Sequence, residues 1–181
     1  MDRNFIEDLK TGLEAEKIVS EILSAKGIIN FPLCQFQGAT DGNGGPKIWG
    51  YNSGLLCPDI ICFDPATGKS FFIEVKSKKK ARDFQTQKEY CLKENYYKNY
   101  LKVQQITGAP VWIAFYDQEQ KTVFLGKINE FTRVWDGRRG EQVINNFTLY
   151  YWDVLKLKAL SIFDRHTNPI LHTQLFLRST F

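Results

Sequence analysis

Two apolar runs separated by a turn constrain the fold of this chain more than any other feature. Residues 55–63 and 70–76 are rich in large apolar side chains, and residues 64–69 between them contain the proline and glycine typical of a hairpin turn. We therefore predict two buried, neighbouring strands. Pro58 cannot donate to a sheet ladder, so it predicts a strand edge or bend just before Asp59.

Two carboxylates interrupt these apolar runs, Asp59 in the first and Glu74 in the second. Because side chains alternate along a strand, Glu74 and Lys76 should project from one face while Ile73 and Val75 point into the core. Neighbouring carboxylates repel unless a cation lies between them, and their oxygens suit Mg²⁺ or Mn²⁺. The alternative is a buried ion-pair network without activity. The basic segment that follows favours the metal site.

The rest of the pattern predicts one α/β domain over residues 1–181, with a core over about 11–127 and a C-terminal extension over 128–181 of unassigned role. One predicted helix begins at Thr11 and ends at Gly27, and a second covers residues 83–107. Further strands are predicted over residues 28–36, 111–116, 122–127 and 147–152. The glycine-rich loop 37–54 is of a length that is usually functional or disordered.

The net charge of +4 is unevenly distributed along the chain. Residues 76–102 contain nine basic and three acidic side chains, which gives this segment +6 and leaves −2 for the remainder. The nine basic residues are Lys76, Lys78, Lys79, Lys80, Arg82, Lys88, Lys93, Lys98 and Lys102. Such a segment favours a nucleic-acid backbone as partner, although a solvated helix face is the alternative.

Several other classes are excluded or disfavoured. No stretch approaches about 20 consecutive apolar residues and the first residues do not form a secretion signal, so we expect a cytoplasmic, intracellular protein without a membrane segment. The four cysteines lack Cys-x-x-Cys spacing and should be reduced. A zinc site is not expected, because the two histidines are six residues apart and have no acidic or cysteine partner at metal-ligand spacing. Thr67-Gly68-Lys69-Ser70 is not a phosphate-binding loop, because Phe63 stands where a glycine is required.

The acidic residues also carry a family resemblance. Pro58-Asp59 followed by Glu74-Val75-Lys76 resembles the signature of the PD-(D/E)XK nuclease superfamily, and residues 73–78 resemble the motif of archaeal-type Holliday junction resolvases. Gly12-x-x-x-Glu16 is similar to the helix that supplies a further acid in those resolvases. Helical periodicity leaves Glu14 and Glu16 open, and the resemblance selects Glu16. It covers roughly residues 11–80 and the helix and strand that follow.

This resemblance implies a restriction-endonuclease-like fold, with a mixed central sheet flanked by helices, and Mg²⁺-dependent hydrolysis of DNA, with Mn²⁺ as a substitute. Asp59 and Glu74 would bind the metal, the Val75 carbonyl would be a further ligand, and Glu16 would bind directly or through water. Lys76 would orient or deprotonate the attacking water and stabilise the developing charge. Gln87, expected early on the second helix, is a weaker candidate for positioning a phosphate or water.

The basic residues that follow the second predicted strand of the hairpin are predicted to form a DNA-binding surface. Lys78, Lys79, Lys80 and Arg82 directly follow the proposed catalytic strand, where phosphate contacts would give affinity without sequence discrimination. The leading hypothesis is a metal-dependent DNA endonuclease acting as a homodimer or higher homo-oligomer, with selectivity for Holliday junctions or other branched DNA as one open alternative. Sequence-specific cleavage of the restriction or homing type and a non-catalytic DNA-binding module remain open. A small-molecule enzyme would not explain the basic segment.

Overall fold

A six-stranded mixed sheet forms the centre of the protein. The computed structural model describes residues 3–33, 47–50, 53–139, 142–143 and 147–160. With strands numbered in chain order, the sheet runs β1 (Ile29–Pro32), β4 (Ile60–Asp64), β5 (Lys69–Lys78), β8 (Val111–Asp117), β9 (Thr122–Lys127) and β14 (Lys158–Leu160). β5 and β8 are parallel, and the other neighbouring pairs are antiparallel.

A second, antiparallel sheet packs beside the first. Its four strands run β10 (Arg133–Trp135), β13 (Leu149–Asp153), β7 (Gln87–Lys93) and β6 (Arg82–Phe84). Two short hairpins pair β2 (Lys47–Gly50) with β3 (Ser53–Leu56), and β11 (Arg138–Arg139) with β12 (Gln142–Val143). A 3-10 turn, Val154–Lys156, connects β13 to β14, so the chain beyond residue 128 contributes strands to both sheets.

Two helices cover opposite faces of the central sheet. Helix α1 (Arg3–Ala25) buries a stripe of small and branched residues against the face that carries Ile73 and Val75. Helix α2 (Glu94–Thr107) and the four-stranded sheet cover the other face, where Ile113 and Phe115 of β8 are fully buried. The predicted fold class, a mixed central sheet flanked by helices, is confirmed.

The predicted hairpin is present and its turn is held by a buried acid. Ile60 pairs with Ile73, and the register continues to Asp64 opposite Lys69. The Asp64 carboxylate accepts hydrogen bonds from the Ala66 N–H at 2.9 Å and from the Thr67 hydroxyl at 2.9 Å. Gly68 adopts a positive φ of 68°, which explains the glycine in the turn. The first predicted strand breaks between β3 and β4, at Pro58.

The predicted second helix is wrong over residues 83–93. These residues form β6 and β7, and α2 begins only at Glu94. Gln87 therefore lies at the start of β7 and not on a helix. The physical reason is tertiary: β7 pairs along its length with β13, which lies more than fifty residues later in the chain. Side chains that fit a helical period also fit a strand here, because alternate residues Tyr90 and Leu92 are buried.

The first helix begins earlier than predicted. Thr11 lies inside α1, where its hydroxyl donates to the Glu7 carbonyl at 2.8 Å, so it is not the N-cap. Both predicted helix ends are confirmed, since Gly27 and Gly108 have positive φ and directly follow the helical segments.

Some expectations concern residues outside the described ranges. These are Cys34, His166, His172, positions 37–46 and 51–52 of the glycine-rich loop, and the chain after residue 160. The other part of that loop forms the β2–β3 hairpin. Cys57, Cys62 and Cys91 are free thiols, as expected. Among the described residues, no helix is both long enough and apolar enough to cross a membrane.

Candidate active site

Strand β5 carries the centre of the candidate site. Glu74 and Lys76 project from the face opposite Ile73 and Val75, as strand alternation predicts. Glu74 is only 1% exposed, so its carboxylate lies within the protein at the sheet face that α2 covers. The Lys76 ammonium pairs with Glu74 Oε1, and the Lys76 side chain is 29% exposed. The pair therefore lies at the boundary between the core and the solvent.

Asp59 lies in the short segment that connects β3 to β4, next to β5. Its Oδ2 accepts a hydrogen bond from the Val75 N–H at 2.7 Å. This bond joins Asp59 to the strand that carries Glu74 and Lys76. The bend at Pro58 releases the chain from regular pairing at this point, so the Asp59 carboxylate can turn towards β5.

The charges of the site oppose one another. Burial raises the pKa of Asp59 well above its ordinary value, and the negative charge of Glu74 raises it further. Lys76 and the Val75 N–H lower it but do not compensate. Burial also opposes the charge of Lys76, but Glu74 and Asp59 outweigh it and raise the pKa of the ammonium. The carboxylates of Asp59 and Glu74 thus both interact with the Lys76 ammonium.

The structure also brings the predicted helix acid to this site. Glu16 lies on α1, half-buried, and its charge contributes to the raised pKa of Asp59, after burial and Glu74. Glu14, two residues earlier, is exposed. The structure therefore places Glu16 where its charge acts on Asp59, and leaves Glu14 at the surface.

Two tyrosines and a cysteine complete the surroundings, and sequence reasoning missed all three. Tyr96 on α2 places its ring centroid 5.0 Å from the Lys76 ammonium. Tyr100, one turn later and 1% exposed, has a pKa raised by burial and then by the charges of Glu74 and Asp59. Burial, and then Asp59 and Glu74, raise the pKa of Cys57 to about 11. The signal in the sequence was the spacing of four residues between Tyr96 and Tyr100, which places both side chains on one face of a helix.

The predicted DNA-binding residues lie in two places. Lys79 and Lys80 are exposed in the turn after β5, and Arg82 begins β6, where its guanidinium donates to the Tyr151 hydroxyl at 3.3 Å. Lys78 is the last residue of β5 and is half-buried. Gln87 is exposed at the start of β7, opposite Phe84 and beside the turn of the β6–β7 hairpin.

The donor atoms of the site fit a hard divalent cation. They are carboxylate oxygens of Asp59, Glu74 and Glu16 with the Val75 carbonyl nearby, and no soft ligand is required. Glu74 Oε2 is buried without a hydrogen-bond partner in the described part of the chain. Within those same ranges, no three His, Cys, Asp or Glu side chains stand ready-grouped to hold a metal. Because the Lys76 ammonium already pairs with Glu74 Oε1, a metal ion bound to Glu74 would compete with this ammonium.

Comparisons with known proteins give structural likenesses only. No family model matches the chain, and no curated protein matches it. Among solved structures, the chain is similar to Hjc, a Holliday junction resolvase from the archaeal hyperthermophile Archaeoglobus fulgidus, at 16% identity over 76% of this chain and 86% of that one, with a TM-score of 0.46.

It is also similar to D212, a nuclease from a fusselovirus, at 10% identity over 87% of this chain and 88% of that one, with a TM-score of 0.45. Because these identities and TM-scores are low, a function for this chain must be inferred from the residues of its own site.

Proposed function

We propose that this chain is a divalent-metal-dependent nuclease that hydrolyses phosphodiester bonds in DNA. The observation that carries this proposal is the placement of two carboxylates, buried Glu74 and half-buried Asp59, beside Lys76 at the edge of the solvent. Burying like charges together is costly, and such arrangements concentrate at functional sites. A structural ion-pair network would be expected to balance its charges, whereas Asp59 and Glu74 face only Lys76 among the described cations that shift the pKa of Asp59.

The residues divide the chemistry between them. Asp59 and Glu74 would hold Mg²⁺, or Mn²⁺ as a substitute, with Glu16 and the Val75 carbonyl as further ligands. When bound, the ion would polarise a phosphate oxygen and lower the pKa of a water. The charges of Glu74 and Asp59 outweigh burial and raise the pKa of Lys76. We infer that Lys76 orients or deprotonates the attacking water and stabilises negative charge in the transition state.

A substrate panel tests the nuclease proposal. Supercoiled, linear and four-way-junction DNA would be incubated with the full chain and Mg²⁺, Mn²⁺ or a chelator. We expect metal-dependent cleavage of at least one substrate, and its loss in Asp59→Asn and in Lys76→Met. Matched controls are Asp83→Asn and Lys102→Met, which change exposed residues of the same types. Wild-type protein that cuts none of the substrates with either metal would contradict the proposal, as would full activity in Asp59→Asn.

The basic turn after β5 would bind the DNA backbone. Lys79 and Lys80 are both exposed directly after the strand that carries the site. We expect binding to weaken steeply with salt, and Lys79→Ala with Lys80→Ala to reduce the slope of log K against log salt by about two. Lys10→Ala with Lys17→Ala, which removes two exposed charges from α1, is the matched control. An unchanged slope would show that the turn does not contact phosphates.

The finer assignment is selectivity for Holliday junctions or other branched DNA, which would place the protein in recombination or repair. A restriction- or homing-type enzyme would instead cut linear duplex at fixed positions, and a non-catalytic module would bind without cutting. The substrate panel separates these outcomes. We also propose a homodimer, because cutting two strands symmetrically requires two related sites. Light scattering on the full chain, alone and with DNA, measures this directly.

A further inference from the structure

The outer face of the four-stranded sheet is basic and aromatic. Strand alternation sends Tyr90, Leu92 and Trp152 towards the central sheet, where they are buried. Trp135 and Lys93 both lie directly opposite Leu149 in the strand register, so they share the opposite, outer face. This face is called the outer face below, and Trp135, Lys93 and the adjoining Phe147 are its residues of interest.

The aromatic side chains of the outer face form an accessible cluster. Phe147 is 40% exposed, and its ring centroid lies 6.3 Å from that of Trp135 at an interplanar angle of 80°. The Lys93 ammonium lies 5.7 Å from the same Phe147 ring. A cation beside an exposed ring is an arrangement that can take a nucleotide, with the phosphate on the ammonium and the base on the ring.

The outer face is continuous with the candidate active site. Lys76 and Lys78 are two residues apart on β5 and so project in the same direction. Burial lowers the pKa of Lys78; Cys91 opposes this, and the charges of Lys76 and Lys93 lower it further. Lys78 also lies opposite Asp117 in the strand register, and Asp117 accepts from the Tyr90 hydroxyl of β7 at 2.6 Å. The end of β5 that carries Lys76 and Lys78 therefore adjoins β7, the strand that ends at Lys93.

The carboxylates of the outer face do not cancel this charge. Glu89 is 2% exposed and its carboxylate is paired with Arg133, with Nη2 to Oε2 at 2.6 Å. Asp153 is 4% exposed and accepts from the Leu155 N–H at 3.0 Å. Among the described residues of β6, β7, β10 and β13 on this face, the exposed charges are thus positive.

We propose that the outer face binds an unpaired stretch of the DNA strand that flanks the scissile phosphate, with its phosphates on Lys78 and Lys93 and a base stacked on Phe147 or Trp135. Bases within a duplex already stack on each other, so exposed rings are of use mainly to unpaired ones. This proposal rests on the proposed nuclease function for the position of the scissile phosphate. It adds the substrate class: DNA with a single-stranded arm at the cut.

Binding measured without metal tests the outer face separately from cleavage. Fluorescence anisotropy of the full chain with a chelator would compare a labelled duplex with the same duplex carrying an oligothymidine arm. We expect the arm to tighten binding by about 10-fold, and Phe147→Ala to remove most of that gain while leaving duplex binding unchanged. Val134→Ala is the matched control, because Val134 is 45% exposed and alternates to the other face of β10.

A second variant protects the test against a folding defect. Trp135→Leu keeps apolar bulk at a half-buried position but removes the indole plane, and should also reduce the gain from the arm. Wild-type tryptophan fluorescence should be quenched by oligothymidine, and Trp135→Phe should lose that quenching. Equal affinity of the wild type for duplex and armed duplex would overturn the proposal. So would an undiminished gain in both Phe147→Ala and Trp135→Leu.

These outcomes are independent of the nuclease proposal. If no substrate is cleaved but the arm still tightens binding through Phe147, the nuclease proposal fails and the outer face is retained. If DNA is cleaved but the arm has no effect, the nuclease proposal is retained and the outer face is not part of the DNA path.

Discussion

Buried acids occur in two regions of this protein with opposite surroundings. Asp117, at the end of β8, is fully buried and accepts hydrogen bonds from the Tyr90 hydroxyl at 2.6 Å, the Gln120 N–H at 2.8 Å and the Ala81 N–H at 3.2 Å. Burial opposes its charge, but these bonds outweigh burial and lower its pKa. Asp59 accepts a hydrogen bond from the Val75 N–H, the one bond to its carboxylate among the described residues, and its pKa is raised by burial and by Glu74.

Two buried glutamates repeat this contrast. Glu89 is held by Arg133 through both oxygens, and the guanidinium is itself stacked on Phe84 and Tyr151 at 3.8 and 3.9 Å. Glu74 pairs with Lys76 through Oε1, and its Oε2 has no hydrogen-bond partner among the described residues. Asp117 and Glu89 thus stabilise the fold, whereas the raised pKa of Asp59 shows that its charge carries a cost. That difference supports the proposed role of Asp59 and Glu74.

The largest expected effect separates the two glutamates by activity. Glu74→Gln should lower the cleavage rate by about 100-fold or more, since it weakens metal binding, while leaving the protein folded. Glu89→Gln should retain the chemistry and lose stability, because it leaves Arg133 without its carboxylate partner. Cleavage rates measured over a titration of the metal, and denaturant unfolding of both variants, provide the measurement. Equal loss of activity in folded Glu89→Gln would remove the distinction.

The next effect concerns stability at Asp117. Asp117→Asn should lower the free energy of unfolding by about 1–3 kcal/mol, because an amide cannot accept as strongly from Tyr90 and the Ala81 N–H. Asp83→Asn, at an exposed position, should change it by less than about 0.5 kcal/mol. Urea unfolding followed by circular dichroism measures both. A stability equal to wild type in Asp117→Asn would contradict the structural role of this acid.

The smallest effect is the pH dependence, which should have opposite signs at the two aspartates. The pKa of Asp59 is raised on folding, so its ionisation destabilises the fold above its unfolded pKa of about 3.9, and the deficit disappears as the pH falls below that value. Asp59→Asn should therefore gain stability over the wild type at neutral pH, by about 1 kcal/mol, and lose this advantage near pH 4.

At Asp117 the sign reverses. Its pKa is lowered on folding, so its contribution is present above the unfolded pKa and is lost as the pH falls through the folded value. The stability lost in Asp117→Asn should accordingly shrink in acid. Metal-free unfolding curves between acid and neutral pH, taken for wild type and both variants, test the pair. Parallel pH profiles for the two variants would contradict the contrast.

Local pattern was sufficient for the central part of the site. Apolar runs, a turn and strand alternation place Glu74 and Lys76 on one face, and Pro58 locates the bend that frees Asp59. These features depend on neighbouring residues alone, so the hairpin could be predicted before any tertiary contact was known.

Pairing between distant strands was not predictable in the same way. Residues 83–93 have apolar positions that suit a helix or a strand, and the choice was made by β13, which pairs with β7 from Leu149 onward. Tyr96 and Tyr100 were missed for a related reason, because their relation to Lys76 and Glu74 depends on where α2 crosses the sheet.

The sequence by itself determined the hairpin that carries the candidate site, the helix ends at Gly27 and Gly108, and the basic character of the segment after residue 76. Only the tertiary structure decided that Glu16 and not Glu14 approaches Asp59, that the basic segment is a strand pair, and that its outer face adjoins Lys76. The physical reason is range: turns and alternation act within a few residues, whereas the energy of a buried charge depends on every group packed around it.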